Sequence, residues 1–230
     1  MGFSWDSNTT ITPNGIGWSI AKAIAENNGP KLAHFMLDYK ITCPDTDIRV
    51  IAHSLGTKVI LNALLELTNN PLWNSSSSSS NFKIESVHLM GAAVDNEQVS
   101  IGPVDTDYPR EIICGRRIES QVSKFYNFFD RQDNALEELY PYYEDGETTL
   151  GLRGAKQGIT LPSNYQDIDV TEEVSFIDDA NGDYMCDLPN PFIPNFCTIS
   201  AIGDNHLVYV GYVSSMSGLS FRRWRNEYRG

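Results

Sequence analysis

A chain of 230 residues is long enough for one domain with a sizeable core, or for two small ones. With 41% hydrophobic and 11% aromatic residues it is a folding sequence, not a disordered one. Its 30 acidic against 17 basic residues give a formal net charge of −13, which speaks against non-specific nucleic-acid binding, because that needs a basic footprint. The one basic cluster, Arg222, Arg223, Arg225 and Arg229, reads as a solvated helix end.

In chain order, residues 2–5 ("GFSW") read as a short strand and residues 15–39 as helix, interrupted at Gly29-Pro30, where the proline suits the first turn of a second helix. The apolar run 47–52 is a buried strand. A helix follows over 57–68, with Ile60, Leu61, Leu64, Leu65 and Leu67 at core spacing. The serine-rich stretch 74–81 is low-complexity and reads as a mobile surface loop. Residues 84–94 and 123–129 are two further buried strands, and 134–143 a short helix. Residues 146–199, with scattered Gly, Pro and acidic side chains and little periodicity, read as an insertion or lid within a single domain spanning 1–230, and a helix follows His206. Apolar strands separated by helices predict an α/β fold, a mostly parallel sheet with helices on both faces.

The junction "RVIAHSLGTK" carries the chemistry. A nucleophilic serine must project from the end of a sheet, clear of its neighbours, and a sharp strand-to-helix turn achieves this at the cost of a strained backbone and a close approach of strand and helix. Small residues are then needed on either side, and here Ala52 and Gly56 flank Ser54. The same turn aims the Leu55 N–H and the new helix's N-terminus at negative charge forming beside Ser54.

The segment "IRVIAHSLGTKVILNALLEL" resembles the nucleophile elbow of the α/β-hydrolase superfamily, and "GFSWDS" upstream resembles the "FSWPS" strand end of an esterase/lipase-like branch. The resemblance covers about 2–133 and resumes around His206. It implies a triad in the chain order serine, acid, histidine. Of the histidines, His34 and His53 precede or flank the serine, and His88 lies inside a strand, where a packed core role is the commoner one. His206, near the C-terminus, is where the family's base sits. The acid belongs on the loop after strand 123–129. A family pattern resembling N-x-Y-S-x-x-D-x-x-L matches Asn127 to Leu136 and places the acid at Asp133; Asp130 then falls where a serine often sits. Asp95, after the preceding strand, is a third candidate, because some lipases carry the acid there.

The resemblance implies a serine hydrolase acting on a small-molecule ester or related acyl substrate through an acyl-enzyme, with Ser54, Asp133 and His206 as triad, Leu55 N–H in the oxyanion hole, and no metal or organic cofactor. One departure stands out: few strands precede the nucleophile strand, and the loop carrying the second oxyanion donor is not visible. An N-terminally incomplete chain, lacking early strands, is therefore expected. Its alternative function is a catalytically weak or inactive hydrolase-like binding or interaction domain, with self-association through an exposed sheet edge.

The remaining signals are weaker. Cys43, Cys114, Cys186 and Cys197 form no C-x-x-C pair, so no zinc site is signalled; Cys186 and Cys197 are close enough in sequence for a disulfide. The acidic run 178–187 has spacing like a calcium loop, but its glycine, Gly182, stands at the fourth position instead of the sixth and no glutamate follows at the twelfth, so an acidic turn is the better reading. No apolar run reaches the length of a membrane span and no signal peptide is visible, so a cytoplasmic location is the expectation.

Overall fold

The computed structural model of the protein describes residues 16–74, 82–102, 112–172 and His206. The expected strand at 2–5, the serine run, the acidic loop 178–187 with Cys186, Cys197, and the helix expected after His206 lie outside these residues. Among the described residues no helix is long and apolar enough to cross a membrane, and Cys43 is a free thiol.

The first long segment is one helix, α1 (Ile16–Thr42), not two. A stripe of buried positions, Ala21, Ala25, Leu32, Ala33, Met36 and Leu37, runs through Pro30 without a break in phase. Packing of that continuous stripe outweighs the hydrogen bond that Pro30 cannot donate. Gly29 has a different purpose from a helix breaker. A β-carbon there would stand 2.4 Å from Asn62 Cβ, so the glycine lets α1 cross α2 (Gly56–Asn69) at close range.

β1 (Arg49–His53) leads into α2, whose apolar face, Val59, Ile60, Leu61, Leu64 and Leu67, is buried in the main core. Fully burying such a side chain is worth about 1.5–3 kcal/mol. After the one-turn α3 (Pro71–Asn74) come β2 (Ile84–Met90), α4 (Gly115–Gln121) and β3 (Val122–Phe129). A π-helical turn (Ala135–Leu139) runs directly into α5 (Tyr140–Tyr143), where a single short helix was expected. α6 (Leu150–Arg153) and β4 (Tyr165–Asp169) follow.

The four strands form one all-parallel sheet in the order β1-β2-β3-β4. The register pairs Ala52 with Leu89 and Leu89 with Asn127, so Val50, Ala52, Val87, Leu89 and Phe125 share the face that packs on α1, α2 and α4. Among the described residues β1 pairs only with β2. Along its other side α1 and α2 wall a groove of about 530 Å³, lined by Phe35, Met36, Tyr39, Ile51 and Val59 and ending at His53 and Gly56.

Residues 146–172, read from the sequence as the start of an insertion or lid, include a strand of the sheet itself. β4 reads "YQDID", too acidic for a central strand pattern, but its Asp167 carboxylate is paired: it accepts from Asn127 Nδ2 (2.8 Å), Ala155 N (2.8 Å) and Tyr165 Oη (2.5 Å). Burial, together with the neighbouring Asp167 charge, pushes the Tyr165 hydroxyl well above its ordinary pKa, so it remains a donor.

Candidate active site

β1 ends in a turn that places Ser54 in the left-handed region, at φ 53°. A non-glycine residue pays about 1–2 kcal/mol for that conformation, so its surroundings must hold it there. Ser54 N–H donates to the Met90 carbonyl at the end of β2 (3.1 Å), and the Ser54 carbonyl accepts from Thr57 N (3.0 Å) and Ala93 N (3.3 Å). The turn is thus riveted to the chain leaving β2. Leu55 follows in right-handed helical geometry (φ −62°, ψ −14°), and its N–H has no acceptor among the described residues. Among the described residues that donor stays open at the start of α2, beside Ser54.

The small flanking residues have unequal roles. A β-carbon on Gly56 would meet the Ala52 methyl at 3.9 Å, an ordinary contact. Position 56 therefore has room for one methyl group, still a small residue.

Asp133 lies four residues beyond β3, fully buried. One carboxylate oxygen, Oδ1, accepts from Leu136 N (3.0 Å), and its carbonyl accepts from Glu137 N (2.9 Å). Capping the turn in this way fixes the carboxylate and leaves Oδ2 pointing away from it. His206 Nδ1 lies 2.7 Å from that second oxygen. A carboxylate only accepts, so Nδ1 carries the proton, and in the neutral imidazole Nε2 is then the basic nitrogen.

The elbow and the His–Asp pair meet at the Met90-Gly91 corner. Gly91, next to the Met90 carbonyl that holds Ser54, has φ 51°, and a β-carbon on it would stand 3.0 Å from His206 Cε1 and Nδ1 and 3.3 Å from Asp133 Oδ2. Gly151 on α6 presses on the same corner from outside: its β-carbon would stand 2.1 Å from Ala92 N. Neither glycine signalled itself in the sequence beyond the run of small residues, Gly91-Ala92-Ala93, that follows β2.

The other candidate acids are engaged elsewhere. Asp130 is fully buried and accepts from Gln132 N (2.9 Å) within its own turn. Asp95 accepts from Tyr140 Oη (2.6 Å) and bridges to Thr149. His88 is buried in β2, with Nε2 3.0 Å from Ser86 Oγ and its ring against Tyr126 and Phe128, in keeping with a packed core histidine. Among the described residues no group of three His, Cys, Asp or Glu side chains could hold a metal ion.

Two features at the site were not legible. The Leu55 side chain packs against an apolar cluster of Ala93, Leu136, Tyr140 and Leu152, with Trp18 of α1 closing it. His53, which flanks the serine, has its Nε2 2.7 Å from the His206 main-chain carbonyl, with ring centroids 4.6 Å apart. Burial, and then the neighbouring His206, lower the His53 pKa from 6.5 to about 4, so its ring is neutral at neutral pH.

Comparison with known proteins bears on this arrangement. A family model described as "Alpha/beta hydrolase of unknown function (DUF900)" matches residues 1–139. No curated protein and no solved structure matches the chain.

Proposed function

The chain belongs to this family of alpha/beta hydrolases, and from that premise we propose that it is a serine hydrolase cleaving an ester or related acyl bond through an acyl-enzyme. The observation that carries this reading is the His206–Asp133 hydrogen bond of 2.7 Å, made at the corner that also holds the left-handed Ser54 turn. Structural histidines also pair with carboxylates. A pair fixed beside a strained, serine-bearing strand-to-helix turn is a costlier arrangement than packing alone requires.

In the proposed mechanism His206 Nε2 takes the proton of Ser54 Oγ as Oγ attacks the acyl carbon. Asp133 keeps Nδ1 protonated and stabilises the imidazolium that forms; it is not itself protonated. The charge arriving on the carbonyl oxygen is met by Leu55 N–H, a donor worth roughly 2.7–4 kcal/mol in such a position. The imidazolium then gives its proton to the leaving group. Water, deprotonated by His206, attacks the acyl-enzyme and restores Ser54. The apolar cluster at Leu55, Ala93 and Leu136 supplies a dry wall for the acyl group.

Covalent labelling tests the reading. An organophosphonate should label Ser54 stoichiometrically, and Ser54→Ala should remove both labelling and hydrolysis of short acyl esters. Equal labelling of the alanine variant would sink the assignment.

A further inference from the structure

We propose that His53 is a positioning residue for His206: its ring N–H clamps the His206 main-chain carbonyl and so fixes where the His206 imidazole stands against Asp133. The inference rests on the serine-hydrolase reading and adds to it a residue that the triad does not contain.

The contact itself has one chemical interpretation. A main-chain carbonyl only accepts, so at 2.7 Å the His53 Nε2 must carry the hydrogen. The bond joins residues 153 positions apart, and it acts on the main chain of His206, whereas Asp133 acts on its side chain. Two attachment points do what one cannot. The Asp133 bond alone leaves the imidazole free to swing about Nδ1 as its own backbone drifts; a fixed carbonyl removes that freedom.

Position in the chain gives the clamp its purpose. His53 is the last residue of β1, in register with Met90, and it is covalently joined to Ser54. Any movement of the nucleophile turn therefore carries the clamp with it, and the base follows. A strand end is also a firmer mount than a loop.

The neutral state of His53 suits the same role. Its ring centroid is 4.6 Å from that of His206, so a charge on His53 would oppose the proton that His206 must accept during acyl transfer. Burial keeps that charge away at neutral pH. A side chain that merely filled space next to Ser54 would need neither the N–H nor the neutrality.

The test compares three variants of the full chain by two readouts. Gln places its amide N–H about as far from the backbone as imidazole Nε2; Asn stops one methylene short; Phe keeps the ring and loses the donor. One readout is the rate at which the organophosphonate labels Ser54. The other is the strongly downfield proton resonance of an imidazole Nδ1–H shared with a carboxylate, here His206 with Asp133, which needs no substrate. His53→Phe and His53→Asn are expected to slow labelling about ten- to a hundred-fold and to broaden the resonance away. His53→Gln is expected to recover most of the lost rate and a sharp resonance. Wild-type rate and resonance in the Phe or Asn variant would overturn the clamp, as would a Gln variant no better than Asn, or absence of the resonance from the wild type. Should His53→Phe fail to fold, the Gln–Asn pair decides alone. Absence of labelling from the wild type would refute the hydrolase reading instead, while the resonance comparison still decides the clamp.

Discussion

Gly91 lies against the His206 ring so closely that a single methyl group would collide with it: the β-carbon position is 3.0 Å from both Cε1 and Nδ1. The residue and its neighbour do three things at once. Its φ of 51° turns the chain at the end of β2, its missing side chain leaves room for the imidazole, and its neighbour Met90 offers the carbonyl that holds Ser54. The sheet's C-terminal corner is therefore shaped around a histidine that comes from far along the chain.

Gly91→Ala should damage the site more than the fold. The left-handed backbone adds about 1–2 kcal/mol of strain, and His206 must yield by a few tenths of an ångström, because a β-carbon contact of 3.0 Å is tighter than close packing normally holds. The expected result is a variant that still unfolds cooperatively but labels Ser54 at least about ten-fold more slowly. Denaturant titration and labelling kinetics on the same preparation separate the two effects. Unchanged labelling would mean that His206 does not work from where it stands.

The elbow shows how much of this was legible. Strand, turn and helix there are local: an apolar run, small residues around a serine, and a stripe of leucines at helical spacing are all written within about 25 residues. The sheet's parallel topology followed from the alternation of such segments. What was missed is non-local. β4 hides behind its aspartates because the groups that pair with Asp167, on Asn127 and Ala155, lie up to 40 positions away. Pro30 suggested a break in α1 because a sequence shows the missing N–H but not the continuous face buried on α2. That His53 flanks the serine is plain from the sequence, yet its bond to His206 depends on a partner 153 positions distant. Asp133 was preferred over Asp130 and Asp95 by likeness to a family pattern; local composition alone did not separate them.

At Gly56 the opposite outcome to Gly91 is expected. Gly56→Ala adds a methyl at 3.9 Å from the Ala52 methyl, in open contact distance, on the first residue of α2. Alanine is the better helix former by up to about 1 kcal/mol. Stability should be equal or slightly raised, with labelling of Ser54 within a few-fold of wild type. A large loss of stability in the urea midpoint would show that the elbow is tighter than these distances say.

The three aspartates make a discriminating set. Asp133→Asn keeps the size of the side chain, and its amide oxygen can still cap Leu136 N, but it can no longer both cap the turn and hold a protonated Nδ1. The wrong imidazole tautomer is then favoured, a change that costs about ten-thousand-fold in the worked serine-protease triad. A loss of roughly a thousand-fold or more in ester turnover is expected here. Asp95→Asn can still accept from Tyr140 Oη and should remain within a few-fold of wild type. If Asp95→Asn proved the crippling variant and Asp133→Asn the mild one, the acid would have to be reassigned.

The buried His53 predicts how the fold responds to acid. Its pKa is lowered from 6.5 to about 4 in the native protein, first by burial and then by the proximity of His206. Above 6.5 neither state binds a proton there, and the residue adds no pH dependence. Between 6.5 and about 4 the unfolded chain takes up a proton that the native state refuses, so unfolding is favoured progressively as pH falls. Below about 4 both states are protonated and the loss is complete. Taken over that window the difference amounts to on the order of 3 kcal/mol, a sizeable part of a typical domain's stability. His53→Gln has nothing to titrate at this position, while every carboxylate remains. The stability of wild type relative to His53→Gln should thus fall as pH is lowered from about 7 to about 4.5, and be flat above about pH 7. Urea midpoints measured in parallel across that range give the comparison. Two curves of identical shape would mean that His53 ionises as readily in the folded protein as in the unfolded chain, and that its N–H is not shielded at the His206 carbonyl.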